Sequence, residues 1–145
     1  MRSSSEIMAE INTLKNNLTN TTIKFNEVGQ IIGDGNLCSQ DATNLFQIYD
    51  DILSYIGEAN NCFSTLSGEK IEQFKFKTTH LNEVFENTNS QVGVLISSLS
   101  EALEALLNLQ RKLQEEIASI KNQIQILERE YDSAFLFERT PRPSN

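Results

Sequence analysis

Apolar residues recur every three or four positions along almost the whole chain, and the first proline is Pro141. Such spacing places side chains on one face of an α-helix. Proline interrupts helices because it lacks a backbone donor and clashes with the preceding turn. The pattern therefore predicts an all-α protein whose long helices bury apolar stripes against one another or against partners.

The first helix is predicted over residues 4–32, because Ser3 and Glu6 have the spacing of a capping box. Its stripe has heptad spacing with one polar interruption. The stripe consists of Ile7, Ile11, Leu14, Leu18, Thr21, Phe25, Val28 and Ile32. The following Gly33-Asp34-Gly35-Asn36 predicts a helix end and a sharp reversal of the chain, since glycine and Asp favour caps and turns.

The second helix is predicted over residues 39–66 and carries two adjacent stripes. One contains Leu45, Ile48, Ile52, Tyr55, Ala59, Cys62 and Leu66. The other contains Phe46, Tyr49, Leu53, Ile56 and Phe63. So wide an apolar face predicts that this helix sits in a bundle or contacts two neighbours.

Ser67-Gly68 predicts a second break, and the third helix is predicted over 69–137. This helix is either very long or kinked near residues 89–97, where Asn, Ser and Gly93 lower helix propensity. Its predicted stripe is Phe74, Thr78, Leu81, Phe85, Thr88, Val92, Leu95, Leu99, Ala102, Leu106, Leu109, Leu113, Ile117, Ile120, Ile124, Leu127, Tyr131 and Ala134. Consecutive steps of four at Leu109, Leu113 and Ile117 predict a stutter in the heptads.

Together these elements predict an antiparallel helical bundle or coiled coil of three long helices. A single domain over residues 1–138 precedes a polar, disordered tail at 139–145. We expect residues 98–137 to project from the bundle or to pair with another chain.

The net charge of −8 argues against nucleic acid as a partner, because phosphate binding needs a basic surface. No Lys or Arg lies between Lys24 and Lys70, so this stretch is either a solvated acidic face or a patch that steers a basic partner. With no signal-peptide core or long apolar run, we expect no membrane insertion and a cytoplasmic or other reducing location. Cys38 and Cys62 are expected to be buried, reduced thiols.

Residues that could carry chemistry are sparse. His80 is the single histidine, and the His80–Glu83 pair has no second copy with which to build a metal site of the carboxylate-bridged type. Neither cysteine has a nearby base. We therefore expect no enzyme, no catalytic or metal-binding residue and no cofactor.

The expected function is contact between helices, with protein partners in a hetero- or homo-oligomer. The candidate partner-binding residues all lie in the stripes. They are Ile7, Ile11, Leu14, Leu18, Phe25, Phe46, Tyr49, Leu53, Ile56, Leu106, Leu109, Leu113, Ile117, Ile120, Ile124, Leu127, Tyr131, Phe135 and Phe137.

At Leu66-Ser67-Gly68 the chain resembles the small helical-hairpin proteins of bacterial type VII secretion, in which a Trp-x-Gly or Leu-x-Gly turn joins two long helices. The resemblance covers about residues 40–130. It implies a partner or targeting chaperone of a larger secreted toxin. Tyr131 is followed by Phe135, where the family's export signal has an acidic residue. The resemblance therefore implies a cytoplasmic partner role, with export only in complex with a partner.

Two other functions stay open. Asn- and Ser-rich helices and a Thr140-Pro141 site also suit a subunit of a eukaryotic coiled-coil assembly, such as a kinetochore, spindle pole, nuclear pore or vesicle tether. A self-contained bundle that binds a small ligand in its core is the other alternative.

Overall fold

The computed structural model describes residues 2–141, which form two helices: α1, Ser4–Phe63, and α2, Glu69–Arg139. The described residues contain no strand. The all-α prediction is therefore confirmed. The prediction of three helices is wrong, because the two predicted N-terminal helices are one helix of 60 residues.

The error lies at Gly33–Asn36, where we predicted a reversal and α1 continues without a break. Gly35 lies among the less exposed positions of α1, between Ile32 and Ser39, so the spacing of three and four is kept. A Cβ atom added at Gly35 would lie 2.6 Å from Cδ2 of Leu103. The glycine here allows two helices to approach closely, and it does not cap a helix.

The second predicted break is confirmed between Phe63 and Glu69. The amide of Leu66 donates to the carbonyl of Phe63 at 3.1 Å, which tightens the end of α1. Gly68 has a φ of 130°, a conformation that favours glycine. The ammonium of Lys75 donates to the carbonyl of Leu66 at 3.0 Å and so satisfies one backbone acceptor of the turn.

Residues 2–32 and 106–141 form one compact unit, unit 1. Within its described part, Ile7 and Ile11 are almost fully buried against a cluster on α2 that contains Ile120, Ile124 and Leu127. The predicted start of the helix is confirmed, because the amide of Glu6 donates to Oγ of Ser3 at 3.2 Å.

Polar contacts with α2 also hold the N-terminal end of α1 in unit 1. The carboxylate of Glu138 accepts bonds from the amide and hydroxyl of Ser4, at 2.8 and 2.5 Å, and these bonds lower the pKa of Glu138. The guanidinium of Arg2 donates to Glu130 at 3.1 and 2.9 Å and also pairs with Glu10. Both carboxylates raise the pKa of Arg2, that of Glu130 more strongly.

Residues 33–105 form the second compact unit, unit 2. As residue numbers rise along α1, the partners on α2 fall, so the two segments run in opposite directions. The contacts are Gly35 with Leu103, Phe46 with Gly93, Tyr49 with Phe85, Asn60 with Thr78 and Phe63 with Phe74. The ring centroids of Tyr49 and Phe85 are 5.6 Å apart, and those of Phe63 and Phe74 are 4.7 Å apart.

The stripe on α2 differs from the predicted one. The less exposed positions include polar residues, Asn82, Asn89 and Gln110, whereas the neighbouring Leu81, Leu95 and Leu109 are 47%, 58% and 44% exposed. With these positions and with Lys75, Ile96 and Leu103 included, the spacing alternates between four and three from Ile71 to Ala134. The predicted stutter at Leu109–Ile117 is therefore wrong. It arose because we required every position of the seam to be apolar.

Helix α2 passes through residues 89–97 and ends at Arg139, two residues beyond the predicted end. The amide of Thr140 still donates to the carbonyl of Leu136, at 3.0 Å. Of the predicted tail, residues 142–145 lie outside the described part of the chain.

Candidate helix-binding surface

Each helix has two flanks beside the seam that faces the other helix. Two antiparallel helices with the same heptad spacing are related by a two-fold axis normal to the plane of the pair. Residues that directly precede the seam residues Leu18, Phe25, Ile117 and Ile124 should therefore share one side of unit 1. They do, because Asn17, Lys24, Glu116 and Gln123 line one common groove.

The equivalent flank of unit 2 is apolar on both helices. We call it the apolar flank. It consists of residues that directly precede a seam position and of residues three positions after those. Its members are Leu45, Ile48, Ile52, Tyr55 and Leu66 from the first segment, and Phe74, Leu81, Val84 and Leu95 from α2. All of these side chains except the half-buried Ile52 are between 39% and 70% exposed.

The other flank of unit 2 is polar. It follows the seam positions of α1 with Asn36, Thr43, Asp50, Gly57 and Ser64, and those of α2 with Glu72, Thr79, Glu86, Gly93 and Ser100. Most of the exposed large apolar side chains of unit 2 lie on the apolar flank, whereas Leu37, Phe76 and Val94, which are 61%, 77% and 67% exposed, lie outside it. Single exposed hydrophobic residues of that kind are common on protein surfaces, but a contiguous apolar patch is not.

Charge divides between the units as well. Residues 33–105 contain eleven acidic and three basic side chains, which gives a net charge of −8, whereas the remaining residues contain nine of each. The segment of α1 in unit 2 has Asp34, Asp41, Asp50, Asp51 and Glu58 and no basic residue. The whole net charge of the protein therefore resides in the unit that has the apolar flank.

The predicted partner-binding residues fall into two groups. Eight of the nineteen, including Ile7, Ile11 and Ile120, pack in one cluster between α1 and α2 of this chain. In unit 2, the rings of Tyr49 and Phe85 pack at a tilt of 48°, and the ring of Phe46 lies against Gly93. The stripe that we selected on the second helix is therefore the one that faces α2, and its companion stripe is exposed. The role of any of these residues toward a partner stays a prediction.

Some predicted residues lie at the surface, near the end of α2 in unit 1. Phe135 stacks on Tyr131, and the guanidinium of Arg139 lies 4.5 Å from the centre of its ring. Leu136 is 65% exposed and Phe137 is 52% exposed. Sequence reasoning missed the α2 part of the apolar flank, because it assigned Leu81 and Leu95 to the buried seam. The signal was the presence of more apolar residues than a single seam can bury.

Metal sites, reactive thiols and grooves are the features that could carry chemistry. No group of three or more His, Cys, Asp or Glu side chains within residues 2–141 is placed to hold a metal ion. The expectation that Cys38 and Cys62 are buried is wrong, because both thiols are exposed and unpaired. The groove of about 570 Å³ in unit 1 has a largely polar lining.

One helix is long and apolar enough to cross a membrane, by length and composition alone. It is α2, which contains a stretch of mean hydropathy 1.4 of which 6% is buried. A single such helix is weak evidence for a membrane span.

No protein-family model matches this chain, and neither a curated protein nor a solved structure matches it.

Proposed function

We propose that this protein is a non-catalytic helical assembly or adaptor protein that binds a partner helix on the apolar flank of unit 2. The observation that carries the proposal is the contrast between the two flanks of the same helix pair. Leu45, Tyr55, Leu81 and Leu95 are 41% to 70% exposed on one side, and the matching positions of the other side are polar.

The size of the flank supports this function. Eight large side chains, each about half exposed, present on the order of 600 Å² if each has a full area of roughly 150 Å². This reaches the upper end of the apolar patches found on monomers and approaches the ~800 Å² that one partner contributes to a standard interface. Burial of such an area releases enough free energy to support a specific complex, at about 25 cal/mol per Å² before the costs of association.

In this proposal the described helix pair is an incomplete bundle. A further helix in the groove between Leu45 and Leu81 would contact both α1 and α2 and would complete a three-helix bundle. The seam with heptad spacing then forms an antiparallel coiled coil, and the polar positions Asn82, Asn89 and Gln110 limit which register the helices adopt.

The sequence resemblance to the hairpin proteins of type VII secretion rests on Leu66-Ser67-Gly68, which lies in the turn between α1 and α2. On that basis we propose a partner or targeting chaperone of a secreted toxin as the particular role. The exposed free thiols of Cys38 and Cys62 favour a reducing compartment such as the cytoplasm.

Cross-linking of the native complex, followed by mass spectrometry, tests this function. The proposal predicts cross-links from Lys70 and Lys77, the basic residues nearest the apolar flank on α2, to one recurring protein. Sedimentation of the purified chain provides the second measurement. A stable monomer that does not bind an apolar dye, together with an absence of recurrent cross-links, would refute the proposal.

A further inference from the structure

We propose that the occupant of the apolar flank is an amphipathic helix from another protein, with Lys or Arg along the edge that faces α1. This inference rests on the proposed function and specifies its partner. The exposed apolar residues alone would not define the charge of the partner. The position of the acidic residues beside the flank does.

The acidic residues border the α1 side of the flank. Asp51 and Glu58 are three or four residues from Ile48 and Tyr55, so they lie one turn away along the outer edge of the stripe. Asp41 precedes Ile48 by seven residues and occupies the same row at its N-terminal end. A helix that covers Ile48 and Tyr55 therefore brings its own edge close to these carboxylates.

No basic residue of the same segment offsets this charge, because Lys and Arg are absent between Lys24 and Lys70. The amide of Gln47 donates to Asp51 at 3.0 Å, which orients that carboxylate without neutralising it. Basic side chains on the partner would gain attraction and faster association, and acidic ones would be repelled.

A second copy of this chain is a poorer occupant. Each unit 2 has a net charge of −8, so two copies that met at this flank would bring sixteen excess negative charges together. An anionic membrane surface is disfavoured for the same reason, since it attracts basic and not acidic segments.

The length of the flank sets the length of the partner. On α1 it extends from Leu45 to the end of the helix at Phe63, which corresponds to roughly 27 Å of helix, and Leu66 extends it into the turn. The partner is therefore expected to contribute about twenty residues, with apolar side chains at three- and four-residue spacing. Its basic residues are expected on the edge that faces α1, since Lys70 and Lys77 lie on the α2 side of the flank.

The test uses the full purified chain and two synthetic 21-residue helices that share one Leu stripe. One peptide has Lys at the edge positions and the other has Glu. Isothermal titration calorimetry at low salt should show binding of the Lys peptide at least about tenfold tighter than the Glu peptide, with the difference decreasing as salt is added.

Matched variants locate the site. Leu95→Ser should weaken binding of the Lys peptide about tenfold, whereas Val94→Ser should change it less than about twofold, because Val94 is 67% exposed but lies off the flank. Glu58→Lys should weaken binding about threefold or more, and Glu86→Lys, with the same change in net charge on the polar flank, should have a smaller effect.

Three results would overturn the inference. Equal binding of both peptides, still sensitive to Leu95→Ser, would refute the basic partner and leave the helix-binding function standing. A dimer without peptide that Leu95→Ser dissociates would identify a second copy as the occupant. Binding to phosphatidylcholine–phosphatidylserine vesicles without binding either peptide would overturn both the inference and the proposed function.

Discussion

Replacement of Gly33 by Ala should stabilise this protein, although the surrounding sequence is typical of a turn. Gly33 is exposed in the interior of α1, and a Cβ atom added there would meet nothing within 4 Å. Ala is favoured over Gly by about 0.8–1 kcal/mol at such a position. We therefore expect the free energy of unfolding to rise by about 1 kcal/mol.

A helix end at Gly33 would give a change in the free energy of unfolding of the opposite sign. If Gly33 ended a helix with positive φ, Ala would destabilise the protein by about 1 kcal/mol, because an L-residue is strained there. The two structures thus differ by about 2 kcal/mol in the effect of one methyl group. Circular dichroism at 222 nm during thermal and urea unfolding, at one protein concentration, measures it. For a chain of this size the expected rise in Tm is roughly 3 °C.

Two other glycines serve as controls. Gly68→Ala should lower the free energy of unfolding by about 1 kcal/mol or more, because φ is 130° there. Gly35→Ala should be at least about 1 kcal/mol less favourable than Gly33→Ala, since its Cβ atom would lie 2.6 Å from the side chain of Leu103. In a Leu103→Ala background this penalty should disappear, as a double-mutant cycle would measure.

A fall in Tm for Gly33→Ala, equal to that for Gly68→Ala, would refute the continuous helix. Equal effects of Ala at Gly33 and Gly35 would refute the close approach of Leu103 to α1.

Three further predictions concern buried and exposed polar groups. Asn89→Leu should raise the free energy of unfolding by about 1–3 kcal/mol in urea denaturation, because Oδ1 of Asn89 is buried without a hydrogen-bond partner; a loss of stability would show that the amide has a partner. Ellman's reagent should titrate both Cys38 and Cys62 without denaturant, since both are exposed; thiols that react only after unfolding would contradict this. The carboxylate of Glu138 has a lowered pKa, so its bonds to Ser4 contribute stability above the ordinary value of 4.5 and lose it as the pH falls through the lowered value. Glu138→Gln should therefore lower Tm at pH 7, with a difference that narrows below pH 4.5; a difference independent of pH would contradict the assignment.

The fold class and the seam of unit 1 could be predicted because a local pattern determines them. Ile7 and Ile11 on α1, like Ile120 and Ile124 on α2, belong to stripes of heptad spacing, and this spacing decides which side of each helix is buried. The turn at Gly68 could be predicted equally well, because no tertiary contact at this glycine overrides its local preference for a turn. These features depend on residues near one another in sequence.

The remaining features depend on the opposite helix. Gly35 lies in a segment with the composition of a turn. Its role, however, is set by Leu103, which is distant in sequence. The choice between Leu81 and Asn82 for the seam likewise depends on which register lets both helices pack along their length. Tertiary packing outweighs local propensity in such cases. The exposed flank could therefore not be predicted without knowing which stripe of each helix packs against the other helix.

The most direct test of the helix-binding flank is site-specific photo-cross-linking in cells that produce the protein naturally. A benzophenone amino acid replaces Tyr55, which is 70% exposed on the apolar flank, or the adjacent Ser54, which points away from it. The account predicts a discrete cross-linked protein from position 55 and little or none from position 54. Equal cross-linking from both positions, or a cross-link from position 54 alone, would contradict it.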